Sequence, residues 1–146
     1  MGDSREQLSR PMRNGLEGTR IGCDMPKRFD VVLEKVPDVC FSRVSFDDGA
    51  LLVQGGREDG AIAIEVSFPG VHFVGIADEG SKLRLLRDLE GVRGAILRSE
   101  RDSVMRQFIA ESLDTLDGVE LSHYILMLGE EIIDVISGYE PDVRMI

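Results

Sequence analysis

The chain has 146 residues, of which 42% are hydrophobic, 30% are charged and only 5% are aromatic, with no tryptophan. This composition excludes a disordered chain and fits one domain whose core rests on valine, isoleucine and leucine. The net charge of −10 argues against binding to nucleic acid or to anionic membranes, because like charges repel. It favours a basic protein partner, although an acidic surface also serves solubility alone.

Neither the cysteines nor the histidines indicate a metal site or a disulfide framework. Cys23 and Cys40 form no CxxC pair, and His72 and His123 are too few for a zinc cluster. Two isolated cysteines fit a reducing compartment. No apolar run approaches the ~20 residues that span a bilayer, and the first residues lack the apolar segment of a signal peptide. We therefore expect a cytoplasmic protein with no metal and no other cofactor.

The first 28 residues differ from the rest of the chain. They carry six basic and four acidic residues, four glycines and two prolines, and they show no sustained hydrophobic period. Such a segment is typical of a flexible or loosely attached arm. We predict an N-terminal arm over residues 1–28 and a single α+β domain over residues 29–146.

Hydrophobic alternation with a period of two predicts a meander of antiparallel strands in the first half of this domain. The clearest strand is residues 61–68, in which isoleucine, valine and phenylalanine side chains share one face. Turn signals at Asp47-Asp48-Gly49 and at Pro69-Gly70 separate neighbouring strands, and residues 55–60 are predicted as a polar loop. The strands are predicted over residues 30–36, 39–46, 50–54, 61–68 and 71–76.

Two helices are predicted in the second half of the domain. Leucines at helical spacing indicate a short helix over residues 79–89, and residues 95–98 follow as a short strand or an extended linker. Ser99, with Asp102 three residues later, has the pattern of a capping box that begins the second helix. Apolar residues at helical spacing behind this box predict a face that packs on a sheet.

A terminal hairpin completes the predicted fold. Residues 119–128 and 131–137 have strand patterns, and Gly129-Glu130 between them predicts a type II′ turn. The fold class is therefore α+β. We expect one antiparallel sheet of about six to eight strands, a meander plus the C-terminal hairpin, with one or two helices packed on one face.

Charge is unevenly distributed along the chain. Residues 29–81 hold ten acidic and three basic residues, residues 82–101 hold six basic and three acidic residues, and residues 102–146 hold ten acidic and two basic residues. The basic stretch lacks interleaved aromatic residues, so we expect it to pair with the protein's own acids rather than with nucleic acid. Acids gather around the terminal hairpin, and we predict these as partner-binding residues: Asp114, Asp117, Glu120, Glu130, Glu131 and Asp134.

Asp134 stands out because it lies among apolar residues. Ile133 and Val135 flank it, and Ile132 and Ile136 share its strand face. An acid in such a place is costly unless it is paired or lies at an edge. Two interpretations stay open: an edge-strand charge that prevents aggregation, and an anchor for a cationic partner.

The sequence contains no P-loop, Rossmann fingerprint, HExxH motif, EF-hand loop or GxSxG elbow. His72 and His123 lie on predicted strands, and no acid and nucleophile accompany either at recognisable spacing, so each is interpreted as an ordinary half-buried histidine. We predict a binding protein without catalytic residues. Two alternatives stay open, namely an enzyme in which a histidine meets carboxylates in a cleft, and a structural module that forms a homo-oligomer through an open sheet edge.

The order of turns and strand ends carries a resemblance. Residues 55–60 read Gly-Gly-Arg-Glu-Asp-Gly, a strand ends at Phe68, Asp78-Glu79-Gly80 follows the next strand, and His123-Tyr124 begins the closing hairpin. Over residues 50–138 this order resembles small acidic bacterial proteins of immunity type, which are the cognate inhibitors of secreted toxins. The resemblance implies inhibition of a basic toxin through an acidic surface, with electrostatic steering of the encounter. It carries over no individual inhibitory residue.

Overall fold

A computed structural model describes residues 29–82, 87, 89, 92–100, 102–112, 115–116 and 118–146. The predicted arm, residues 1–28, lies outside this described part of the chain. The elements bounded within it, in chain order, are β1 (Asp30–Leu33), β2 (Phe41–Asp47), β3 (Ala50–Gly56), β4 (Ile62–Phe68), β5 (Phe73–Asp78), a 3-10 turn (Glu79–Lys82), β6 (Ile96–Ser99), α1 (Ser103–Glu111), β7 (Ser122–Leu126), β8 (Glu131–Ser137) and β9 (Asp142–Met145).

The nine strands form two antiparallel sheets rather than the single sheet expected from the sequence. The five-stranded sheet has the order β1-β6-β7-β8-β5, and the four-stranded sheet has the order β2-β3-β4-β9. The predicted pairing of β4 with β5 across Pro69-Gly70 is wrong, because β5 pairs with β8 and β4 pairs with β3 and β9. The short connection between β4 and β5 carries the chain from one sheet to the other.

The main hydrophobic core lies between the two sheets. Val53, Ile64 and Val66 of the four-stranded sheet belong to the same buried cluster as Ile96 and Val135 of the five-stranded sheet. The strict alternation predicted for β4 places its large apolar side chains in this cluster. The sheets also meet through an edge-to-face contact of Phe68 with Tyr124, whose ring centroids are 5.2 Å apart. The sheets therefore pack face to face, as in a β-sandwich.

The five-stranded sheet is covered on its other face as well. Phe29, Leu97, Ile125 and Ile132 form a second buried cluster there. Helix α1 contacts β7, and Phe108 of the helix packs against Phe73 with the ring centroids 6.0 Å apart. All five residues of β7 are buried, as expected for a central strand with both faces covered. The coarse prediction, an α+β fold dominated by antiparallel strands, is confirmed. The nine described strands exceed the six to eight expected, and the second sheet and the packing of the helix were not predicted.

The helix begins later than its predicted capping box. Asp102 is the N-cap, and its side chain accepts a hydrogen bond from the backbone N–H of Met105 at 2.7 Å. Ser99, the predicted cap, is the last residue of β6. Of the short helix expected over residues 79–89, Glu79–Lys82 form a 3-10 turn and Arg87 is helical, while residues 83–86 and 88 lie outside the described part of the chain.

The connections that join β2 to β3 and β7 to β8 differ in geometry. Asp48 and Gly49 both have positive φ, +49° and +80°, which is the two-residue type I′ turn that joins β2 to β3. Gly129 is not among the positive-φ residues, so the predicted type II′ turn is wrong and a longer loop joins β7 to β8. A Cβ at Gly129 would lie 3.3 Å from the backbone of Phe41, so a larger residue there would require a small shift of one of the two backbones.

Candidate functional site

A chain of buried ionisable groups lies beneath helix α1. Nδ1 of His123 contacts Oδ2 of Asp102, and Nε2 of His123 lies 2.7 Å from Oδ1 of Asp134. His123 and Asp134 are 0% exposed and Asp102 is 2% exposed. The imidazole therefore bridges the N-cap of α1, on one side, and the middle of strand β8, on the other.

The two carboxylate neighbours of His123 favour the charged form of its imidazole. Burial alone lowers its pKa, but hydrogen bonds to Asp102 and Asp134 outweigh that effect and raise the pKa above 6.5. Burial likewise raises the pKa of Asp134, and the bonds to His123 and Lys82 outweigh it, so the pKa falls below 3.8. Both ring nitrogens thus donate protons, and each carboxylate accepts one.

Lys82 completes the chain of charges. Its Nζ lies 2.5 Å from Oδ2 of Asp134, an oxygen that accepts no hydrogen bond of regular geometry, so the contact is an ion pair. The Lys82 side chain is 24% exposed and is the one member of the group that reaches solvent. Two carboxylates, one imidazolium and one ammonium sum to zero charge, which is how this network is tolerated inside the protein. We call these four residues, Lys82, Asp102, His123 and Asp134, the buried ion network.

The buried ion network cannot act on a substrate in this arrangement. A general base needs a free ring nitrogen within hydrogen-bond reach of the proton that it removes. Both nitrogens of His123 are occupied by carboxylates and the ring has no exposed surface. The prediction that His123 is half-buried is wrong, because the ring is fully buried between two acids. The network joins α1, β7, β8 and the 3-10 turn into one unit.

Sequence reasoning missed this network because its members are far apart in the chain. A signal was present, however, on the hairpin of β7 and β8. Ile125 pairs with Asp134 across the two strands, and His123 lies two residues from Ile125 on the same face. A histidine and an acid at diagonal positions on the buried face of one hairpin indicate an ion pair.

The four predicted partner-binding acids that the structure describes do not form one surface. Asp134 is buried in β8, an interior strand, so neither the edge interpretation nor the anchor interpretation of this residue is correct. Glu120 and Glu130 are exposed, but they lie near opposite ends of β7. Glu131 accepts a hydrogen bond from Ser42 at 3.0 Å, which links the two sheets. Asp114 and Asp117 lie outside the described residues.

A different group of acids surrounds a shallow depression on the outer face of the four-stranded sheet. We call this depression the acidic trough. Its volume is about 690 Å³, and its floor follows a cross-strand row, Ser45–Leu52–Ser67. The row ends at Asp142 of β9. The trough is also lined by Asp47, Ala50, Leu51, Phe68, Pro69 and Glu140.

The acids of the trough have fewer positively charged partners than their neighbour Glu65. On the adjacent row of the same face, Glu65 is bonded by Arg144 and Gln54, and the Arg144 bond lowers the pKa of Glu65. Asp47 and Asp142 have no ion-pair partner within 4.0 Å among the described residues, and Glu140 reaches only Arg98 at 4.0 Å. The trough therefore presents negative charge around an uncharged floor.

A smaller pocket lies on the inner side of β2. Its volume is about 290 Å³, and it is lined by Val44 and Phe46 of β2 together with Val71, His72 and Val74 around the start of β5. No carboxylate is among its lining residues, so the arrangement of histidine and acid that an enzyme would need is not found there. We call it the apolar side pocket.

The basic stretch pairs in part with the protein's own acids, as the sequence suggested. Lys82 pairs with Asp134, and Arg98 lies 2.9 Å from Glu100. In the described part of the chain, no group of three or more histidine, cysteine or acidic side chains is placed to hold a metal ion. Among the same residues, no helix is long and apolar enough to cross a membrane.

The chain matches no known family model, and neither a curated protein nor a solved structure is significantly similar to it.

Proposed function

We propose that this protein binds and neutralises a basic protein partner, and that the acidic trough is the centre of the binding surface. The observation that carries the proposal is the group of three rim acids, Asp47, Glu140 and Asp142, around an uncharged floor on an exposed sheet face. A polar rim around a less polar centre is the usual anatomy of a protein interface. The class of protein that best fits this arrangement is an immunity protein that inhibits a bacterial toxin.

The charge of the whole chain supports this choice of partner. A net charge of −10 attracts a basic protein over a distance of about 8–10 Å at physiological ionic strength. Toxins that attack nucleic acid carry basic surfaces where they hold phosphates. The exposed acids Glu120 and Glu130 lie away from the trough and contribute to this long-range field rather than to direct contacts.

Capture of the partner tests the proposal. The tagged full-length protein is used to isolate proteins from its source cell, which are identified by mass spectrometry. We expect a basic protein that stops bacterial growth when it is expressed alone, and growth should return when both proteins are expressed. An Asp47→Lys, Asp142→Lys variant should lose that protein, and Glu58→Lys, an exposed acid in the loop after β3, should retain it.

Binding kinetics separate a specific interface from general charge attraction. For the isolated pair, the double variant should lower the association rate most at low salt and should also speed dissociation, because contacts at an interface act mainly on dissociation. The proposal is wrong if the double variant and Glu58→Lys have equal effects. It is also wrong if the captured protein is not inhibited.

A further inference from the structure

We infer that a segment of the basic partner binds by adding a strand to the free edge of β2. This inference rests on the proposed function and specifies how the partner is recognised. In the described part of the chain, β3 is the only strand that pairs with β2, so the opposite side of β2 is an edge of the four-stranded sheet. An unpaired strand edge is a template for another strand.

The edge of β2 is better suited to strand addition than the other three edges. Its seven residues pair with β3 in one uninterrupted register, and seven is the greatest length among the four edge strands. Strand β1 has four residues and a bulge, β9 has four residues, and β5 has six. Short strands and bulges are ways in which proteins protect an edge, and β2 has neither.

The two faces of the β2 edge lead to two different sites. The apolar side pocket lies on the inner face, next to Val44 and Phe46, and Phe46 is 62% exposed. The acidic trough lies on the outer face, next to Ser45 and Asp47. Successive side chains of an added strand point to opposite faces. Such a strand would therefore place alternate side chains in the apolar side pocket and over the acidic trough.

This geometry determines the chemistry of the segment that fits. Its inner residues are apolar, to cover Phe46 and Val44, and its outer residues are lysine or arginine, to meet Asp47 and Asp142. The basic side chains lie near the Asp47 end of β2, because Arg43 has the opposite charge at the other end of the same face. A second copy of this chain fits less well, since two copies each carry a net charge of −10.

Binding of synthetic peptides tests whether the segment that fits alternates apolar and basic residues. The probe is a peptide of about eight residues, a typical strand length, that alternates valine and lysine. Its two controls are a peptide with the same residues in two blocks and a peptide that alternates valine and glutamate. With the full-length protein, we expect the probe to bind at least about tenfold more tightly than either control, since losing one set of contacts typically costs that much. Equal binding of the block peptide would overturn strand addition.

Variants and hydrogen exchange locate the bound peptide. Phe46→Lys should weaken binding of the probe about tenfold, because a central aromatic anchor is lost. Met145→Lys, at an apolar residue of the edge strand β9 that is 52% exposed, should leave binding unchanged. The backbone amides of β2 should exchange more slowly when the probe is bound. Protection of β5 or β9 instead would overturn the inference, as would a protein that light scattering shows to be a dimer with β2 already protected.

The two proposals fail in different ways. The proposal that the protein neutralises a basic partner fails if no basic protein is captured and neutralised. Strand addition fails, with the proposed function intact, if the captured partner binds through Asp47 and Asp142 but leaves the exchange of the β2 amides unchanged. Circular dichroism and thermal unfolding of each variant show that a loss of binding is not a loss of fold.

Discussion

His123 on β7 and Asp134 on β8 form a buried ion pair of 2.7 Å, although in the pairing of the two strands they are diagonal rather than directly opposite. The same imidazole holds Asp102 at the start of α1. The pair therefore lies at the point where the helix, the hairpin and the 3-10 turn meet. Its main effect is on stability and on its dependence on pH, which gives the first predictions.

Replacing His123 by leucine should destabilise the protein by about 3–5 kcal/mol, because two buried carboxylates are left with only Lys82 as a cation. Urea unfolding measures this loss, and the slope of the unfolding free energy against urea concentration should be the same as in the unchanged protein. His72→Leu, at an exposed histidine, is the matched control and should stay within about 0.5 kcal/mol. If His123→Leu is as mild as His72→Leu, the ion network contributes nothing to stability. The double variant His123→Leu, Asp134→Leu should cost less than the sum of the single changes.

Stability should depend on pH with a maximum in weakly acidic solution. The folded pKa of His123 is raised above 6.5, so its contribution is complete below pH 6.5 and is lost as the pH rises through the folded value. The folded pKa of Asp134 is lowered below 3.8, so its contribution is complete above pH 3.8 and is lost as the pH falls through the folded value. Unfolding free energies measured across this range should therefore be highest between these limits. In His123→Leu the loss of stability with rising pH should be much smaller. An equal loss would mean that groups other than His123 cause it.

Asp102 has two functions that substitutions can separate. Asp102→Ala removes both the cap of α1 and one carboxylate partner of His123, and should cost more than the ~1 kcal/mol typical of a lost cap. Asp102→Ser keeps a capping oxygen and removes only the ion pair. The difference between the two unfolding free energies, about 1 kcal/mol in favour of serine, measures the cap. Equal values would show that the side chain acts only through His123.

Gly56→Ala should destabilise the protein by about 1–3 kcal/mol, the usual cost of overpacking. A Cβ at this position would lie 1.9 Å from the ring carbon Cζ of Phe41 on the paired strand. Gly80→Ala is the control, because a Cβ there would meet nothing closer than 3.4 Å. Thermal unfolding compares the two variants. Adding Phe41→Leu to Gly56→Ala should recover part of the loss, and no recovery would mean that the strain lies elsewhere.

The strands were predictable because alternation is a local property of the chain. The sequence pattern over residues 131–137 gives the bounds of β8, and the pattern over residues 61–68 gives β4 to within one residue. The glycines at 55 and 56 were predicted to lie in a loop, yet they end β3, where Gly55 lies against Val39 and Ile64 and Gly56 lies against Phe41. Strand β9 was missed, since its four residues include two charges and gain their order only by pairing with β4.

The division into two sheets could not be predicted from local patterns. A short turn between two strand patterns usually joins paired neighbours, and Pro69-Gly70 follows that pattern although it connects different sheets. The acidic trough depends on the same division. Its floor combines Ser45, Leu52 and Ser67 from three strands, and its rim takes Asp142 from a fourth. None of these residues is distinctive in sequence until the register of the strands is known.

The division of the strands also has a consequence for the order of folding during synthesis. The meander of β2, β3 and β4 joins residues close in sequence and can pair as soon as it leaves the ribosome. Strand β5 must wait for β8, and β1 must wait for β6, so the five-stranded sheet closes only after a long delay. Contacts between distant residues form slowly, and nascent chains with unpaired apolar strands are prone to aggregate. During that interval the inner face of the meander lacks its covering sheet, and we expect chaperones to bind the nascent chain there.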